Sequence, residues 1–127
     1  MMLRVLYVDD DEINRELVAR ILERAPYDVE LVEAEDGEQG VKLALTSQPD
    51  LILMDFHMPR LSGPEATQQI RDDEATSQIP IIALTADIYA RGDFKEAGCE
   101  GYLTKPIRKR SLLQAIHNIF PDLPTSE

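Results

Sequence analysis

The sequence predicts an α/β domain built on a doubly wound parallel sheet. Three observations predict it. Five short apolar runs alternate with segments of helical period. Most of those runs are almost continuously apolar, as strands covered on both faces require. The chain has 127 residues, enough for one such core and too few for two.

Leu3–Val8 is nearly all apolar and reads as a central strand. Ile13, Leu17, Ile21 and Leu22 follow at helical spacing and predict one inward face. Val29–Val32 is the second strand. Asp36 with Gln39 three residues on has a capping-box pattern, opening a helix through about Thr46. Leu51–Met54 is the third strand. Pro59 to Pro64 is loop, and Pro64 suits a first helical turn whose inner face holds Ala66 and Ile70. Pro80–Leu84 is the fourth strand, with proline tolerated at its start. Ile88–Ala97 is a helix stopped by Gly98, with Asp87 as its N-cap. Gly101–Leu103 is a short fifth strand. Leu112, Ile116, Ile119 and Phe120 line a last helix. Pro121 closes the domain, which spans residues 1–121 and leaves a polar tail over 122–127.

Five β–α units in this order give a parallel sheet with helices on both faces, joined by right-handed crossovers. The expected architecture is (βα)5, flavodoxin-like, with strand order 2-1-3-4-5. Ligands in such sheets bind beyond the carboxyl ends of the strands.

The net charge is −11, which disfavours direct nucleic-acid binding and contact with anionic membranes. The basic cluster of Lys105, Arg108, Lys109 and Arg110 reads as a solvated helix start or a partner's rim. No apolar run approaches the ~20 residues of a membrane span, so no membrane insertion is expected. One cysteine, Cys99, excludes an internal disulfide and fits a reducing, cytoplasmic setting. A monomer is expected.

Four strand ends carry reactive side chains. Strand one ends in Asp9-Asp10-Asp11, strand three in Asp55 and strand four in Thr85; strand five is followed by Lys105-Pro106. The fold would gather these carboxylates, a hydroxyl and an ammonium over one end of the sheet. Crowded carboxylates repel, and a hard divalent cation relieves that cost. Mg²⁺ prefers oxygen ligands and keeps several waters, so one or two direct carboxylates suffice. Lys105 supplies a point charge for a phosphate oxygen, and Thr85 a hydrogen bond for another. Such a set suits phosphoryl transfer, which depends mainly on positioning and charge neutralisation.

Val5–Asp11, Asp55-Phe56-His57-Met58-Pro59 followed by Gly63, Ala83-Leu84-Thr85-Ala86 and Tyr102-Leu103-Thr104-Lys105-Pro106 resemble the motifs of response-regulator receiver domains, in family order, from about Leu3 to Phe120. The resemblance implies a phosphoacceptor switch of a two-component system or phosphorelay. Asp55 would accept the phosphoryl group from a phosphohistidine on a sensor histidine kinase or histidine phosphotransfer domain. Asp10 would bind Mg²⁺ directly, Asp9 mainly through water, and His57 through its backbone carbonyl. Lys105 would pair with Asp55 and then with the phosphoryl group. Thr85 would hydrogen-bond that group, and Tyr102 would turn with activation. The Lys105-Pro106 bond would be cis. Glu12-Ile13-Asn14-Arg15 and Ile82-Ala83-Leu84-Thr85-Ala86-Asp87 are similar to receivers of hybrid histidine kinases and phosphorelays.

Other readings compete. A haloacid-dehalogenase-type phosphatase also uses an aspartate, Mg²⁺, a Thr or Ser and a Lys in chain order, and Asp9-Asp10-Asp11 holds its Asp-x-Asp. Against it, Pro106-Ile107-Arg108-Lys109-Arg110 stands where an acidic pair is needed, the chain lacks length for a cap, and Asp55 would have no role. A flavodoxin-type binder would need a hydroxyl-rich loop after strand one, where three acids stand. Asp11 and Glu12 also suit a first helical turn. Cys99 reads as a small buried apolar residue and His117 as an exposed helix residue.

Overall fold

The computed structural model describes residues 2–86 and 96–125. Strands β1 (Met2–Val8), β2 (Asp28–Ala34), β3 (Leu51–Asp55), β4 (Ile81–Thr85) and β5 (Gly101–Thr104) form one parallel sheet in the order 2-1-3-4-5. Among the described residues the helices are α1 (Glu12–Glu23), α2 (Gly37–Ser47), α3 (Gly63–Asp72) and α4 (Lys109–Ile119). The sequence-predicted helix over Ile88–Ala97 and its cap Asp87 lie largely outside the described residues. Gly98, predicted to stop it, has φ +93°, a conformation open to glycine.

Alternate side chains of each central strand point to opposite faces, and two separate cores result. Leu3, Val5, Tyr7, Leu51, Leu53, Ile82 and Leu84 pack with Val18, Ile21 and Leu22 of α1 and with Leu112 and Ile116 of α4. Leu6, Val8, Ile52, Met54, Ile81 and Ala83 pack with Ala44 of α2 and with Ala66 and Ile70 of α3. Thus α1 and α4 cover one face, and α2 and α3 the other. Each fully buried Leu or Ile contributes roughly 1.5–3 kcal/mol. β3 and β4 are wholly buried, whereas β2 lies at an edge and is only partly covered.

Local signals place the helix starts. Asp11 and Asp36 cap α1 and α2, accepting from Ile13 N and Gln39 N. The Gln39 side chain reaches back one residue further than predicted, to Glu35 N at 2.6 Å. Ser62 and Glu65 form a reciprocal capping box on α3. Gly63 opens that helix because nothing larger fits: a Cβ there would lie 2.4 Å from the Asp55 carbonyl oxygen and 2.6 Å from Phe56 Cα.

Three expectations need correction. Ile13 and Leu17 do not face the core; they are 76% and 41% exposed, and the buried stripe of α1 is Val18, Ile21 and Leu22. The tail is not wholly free of the core, since Leu123 is buried with the α1–α4 cluster. His117 is half-buried, and its Nδ1 is buried without a hydrogen-bond partner. Cys99 is partly buried beside the second core, and burial pushes its thiol up to about 11. The Lys105-Pro106 bond is cis, as expected.

Candidate functional site

Because the strands are parallel, their carboxyl ends converge on one edge, and the reactive residues meet there. Carboxylate oxygens of Asp9, Asp10 and Asp55 lie within 4.8 Å of one another. Asp9 and Asp55 are buried, at 0% and 1% exposure, while Asp10 is exposed. Lys105 arrives from the far side of the sheet, after β5. Its Nζ stands 3.2 Å from Asp55 Oδ1 and 3.4 Å from Asp9 Oδ2. The ammonium thus bridges two of the three acids.

Asp55 also accepts from His57 N at 3.0 Å, again on Oδ1. Its carboxyl is pushed up to about 6. Burial is the main cause and the neighbouring Asp9 adds to it, while the His57 amide and Lys105 pull the other way. One lysine does not neutralise three acids. Carboxylates this close, at a solvent-accessible strand edge, have the donor chemistry that a hard, oxygen-seeking cation requires.

Thr85 is fully buried at the end of β4, and its Oγ1 lies 2.9 Å from His57 Nε2. The β4–β5 ladder sets Thr85 beside Thr104 and Ala83 beside Tyr102, and Lys105 N donates to the Thr85 carbonyl at 2.7 Å. Tyr102, on β5, is 37% exposed. The structure therefore brings Asp9, Asp10, Asp55 and Lys105 into direct proximity. Thr85 is joined to the Asp55 loop through the His57 side chain, and Tyr102 sits on the neighbouring strand.

Three contacts were not read from the sequence. The His57 side chain meets Thr85. Arg15 Nη1 donates to the Asp9 carbonyl at 2.7 Å, and its guanidinium lies 3.6 and 3.7 Å from Glu33 and Glu35, tying β1 to the edge strand. The fully buried Tyr7 hydroxyl donates to Asp9 Oδ2 at 2.6 Å. A signal for the last was present: Tyr7 is the one side chain with a polar tip in the Val5–Val8 run, two residues before Asp9 and so on the same face.

With this geometry in place, comparison with known proteins identifies the class. The family model described as the response regulator receiver domain matches residues 5–117, and the chain belongs to that family. It is a receiver domain of a two-component system, a phosphoacceptor with a regulatory role. Receiver domains take phosphoryl groups from histidine kinases.

Among its relatives is the polar-differentiation response regulator DivK of Brucella ovis, 36% identical over 121 residues, covering 93% of this chain and 96% of that protein. Among solved structures it resembles the chemotaxis protein CheY4 of Vibrio cholerae, with a TM-score of 0.84 and 30% identity over 94% of this chain and 99% of that one. It also resembles the receiver domain of a sensor histidine kinase from Pseudomonas aeruginosa, with a TM-score of 0.81 and 35% identity over 93% of this chain and 97% of that one. That structure carries a magnesium ion in its active-site cleft. No helix among the described residues is long and apolar enough to cross a membrane.

Proposed function

We propose that Asp55 is the phosphoacceptor and that it works with Mg²⁺ held by Asp9, Asp10, Asp55 and the His57 carbonyl. One observation carries the reading: three carboxylates converge at the strand ends with Lys105 Nζ between two of them. The magnesium in the related kinase receiver supports the choice of metal.

An Asp55 oxygen attacks phosphorus as the bond to the donor's imidazole nitrogen breaks. Attack needs the carboxylate, and a group titrating near 6 is mostly ionised at neutral pH. The contacts of Asp55 among the described residues gather on Oδ1, which orients Oδ2 as the attacking oxygen. Mg²⁺ supplies charge neutralisation for the phosphoryl oxygens when bound. Lys105 moves its ammonium from Asp55 to the new phosphoryl group, and the Thr85 hydroxyl donates to another oxygen of it.

The donor is a phosphohistidine on a sensor histidine kinase or a histidine phosphotransfer domain. The chain acts as a cytoplasmic monomer without contacting nucleic acid, in keeping with its net charge of −11.

Intact mass spectrometry tests the acceptor. A small phosphodonor with Mg²⁺ should add one phosphoryl group to the wild type. Asp55→Asn and EDTA should each prevent it. An adduct that survives in Asp55→Asn and is lost in Asp9→Asn would overturn the assignment in favour of dehalogenase-type chemistry.

A further inference from the structure

We infer that Tyr7 is a positioning residue of the phosphoacceptor site, acting through Asp9; the inference rests on the Mg²⁺-assisted reading above. Tyr7 lies at the centre of β1, between β2 and β3, with no exposure to solvent. A buried phenol needs a hydrogen-bond partner, and its partner is a functional acid instead of a main-chain group. Tyr7 Oη to Asp9 Oδ2 is 2.6 Å, the length of a charge-assisted bond to a carboxylate.

The bond fixes how Asp9 is divided among its neighbours. Oδ1 accepts from Asp11 N at 2.9 Å, and Oδ2 accepts from Tyr7 and stands 3.4 Å from Lys105. With Tyr7 on Oδ2, Asp9 shares that oxygen between the phenol and Lys105, whose ammonium donates to it at the longer distance of 3.4 Å. The ammonium then stays nearer Asp55, at 3.2 Å. Removing the hydroxyl leaves Lys105 as the remaining side-chain donor recorded on Oδ2. The ammonium would be drawn toward Asp9 and away from the acceptor. The Asp9 carboxylate would also lose one of the two shorter bonds that fix its orientation beside Asp10 and Asp55, the residues that would hold the metal. Tyr7 thereby acts on both parts of the site from beneath it.

Tyr7→Phe keeps the buried ring and deletes only the hydroxyl. Groups that orient metal-binding residues typically contribute about 10–100-fold to affinity. The expected result is a Mg²⁺ dissociation constant about tenfold weaker by titration calorimetry. Phosphorylation by a small donor should slow at subsaturating Mg²⁺ and recover in part at high Mg²⁺. A merely structural role would lower the melting midpoint and leave the Mg²⁺ constant alone, and that outcome overturns the inference.

A second measurement needs no variant. In the wild type, the Tyr7 hydroxyl proton should give a slowly exchanging, downfield proton resonance that shifts on adding Mg²⁺. Its absence, or its indifference to Mg²⁺ in a protein that binds the metal, also overturns the inference. A wild type that fails to bind Mg²⁺ in either measurement would instead overturn the reading beneath it.

Discussion

At the scale of single residues, the site is a balance of unequal charges. Asp55 is buried beside Asp9 and is raised to about 6, while an unfolded aspartate titrates near ~4. A folded value above the unfolded one means that the native state binds the proton more readily. The stability this contributes is complete below the unfolded value and is lost as pH rises through about 6. The metal-free protein should therefore lose stability between about pH 4 and pH 6, by an amount on the order of a few kcal/mol. Asp55→Asn removes the titration. In EDTA at pH 7.5 it should melt several degrees above the wild type, and the gap should close on acidification to pH 4.5. Mg²⁺ should raise the wild-type midpoint by mass action and should do little for Asp55→Asn. Circular-dichroism melts across pH decide the matter; an Asp55→Asn protein less stable than wild type in EDTA at pH 7.5 would contradict it.

At the scale of elements, α1 shows both the reach and the limit of the sequence. Its start follows from Asp11 and its existence from apolar spacing, but Ile13, Leu17, Ile21 and Leu22 do not share one buried face. Periodicity shows that a stripe exists and leaves its rotation to the strand the helix packs on. Val18, Ile21 and Leu22 lie over the sheet, while the first turn begins beside the acid cluster, where no strand continues beneath it. The same limit hid the Ser62–Glu65 box, obscured by the Pro59–Pro64 loop, and the burial of Leu123, which looked like tail. By contrast, the order of the strands and the meeting of Asp9, Asp10, Asp55 and Lys105 were legible. Parallel topology alone carries all strand ends to one edge. The side-chain pairs Tyr7–Asp9 and His57–Thr85 depend on rotamers that spacing does not specify. The exposed Ile13 and Leu17 make a prediction of their own. Leu17→Ala should change stability by no more than about 0.5 kcal/mol, whereas Leu22→Ala should lose about 2–5 kcal/mol. Leu17→Ala should also slow transfer from a phosphohistidine protein while leaving a small donor unaffected, because only a protein donor needs a docking surface such as the exposed apolar side chains of α1. Equal slowing with both donors would place Leu17 in the chemistry instead of the docking.

At the scale of the whole molecule, the site is wired to one side of the sheet. The Thr85 carbonyl accepts from Lys105 N, Thr85 is in register with Thr104, and Tyr102 lies two residues back along β5. A phosphoryl group on Asp55 offers oxygens that compete with His57 for the Thr85 hydroxyl. Drawing Thr85 toward Asp55 would open space near Tyr102, now 37% exposed, and let that ring turn inward. The affected face would carry exposed Arg108 and Lys109, which locally offset the acidic total and suit an acidic partner. Arg91 and Lys95, expected on the same face, lie outside the described residues. To move such an equilibrium from 1:99 to 99:1, phosphorylation must favour the active state by about 5.5 kcal/mol. Lys105 exchanges Asp55 for the phosphoryl group and Thr85 exchanges His57 for it, so charge-assisted bonds of roughly 1.5–3 kcal/mol each supply only the excess over the bonds they replace, and the metal supplies the rest. A beryllofluoride mimic of the phosphoryl group should thus shift amide resonances at Thr85 and Tyr102 and across residues 96–110, and should change the Tyr102 ring signals. Thr85→Ala should keep the shifts at Asp9, Asp10 and Asp55 and lose those at Tyr102. If the wild type itself shows shifts only around the acids, with Tyr102 and residues 96–110 unmoved, Asp55 passes phosphoryl groups onward without a conformational output.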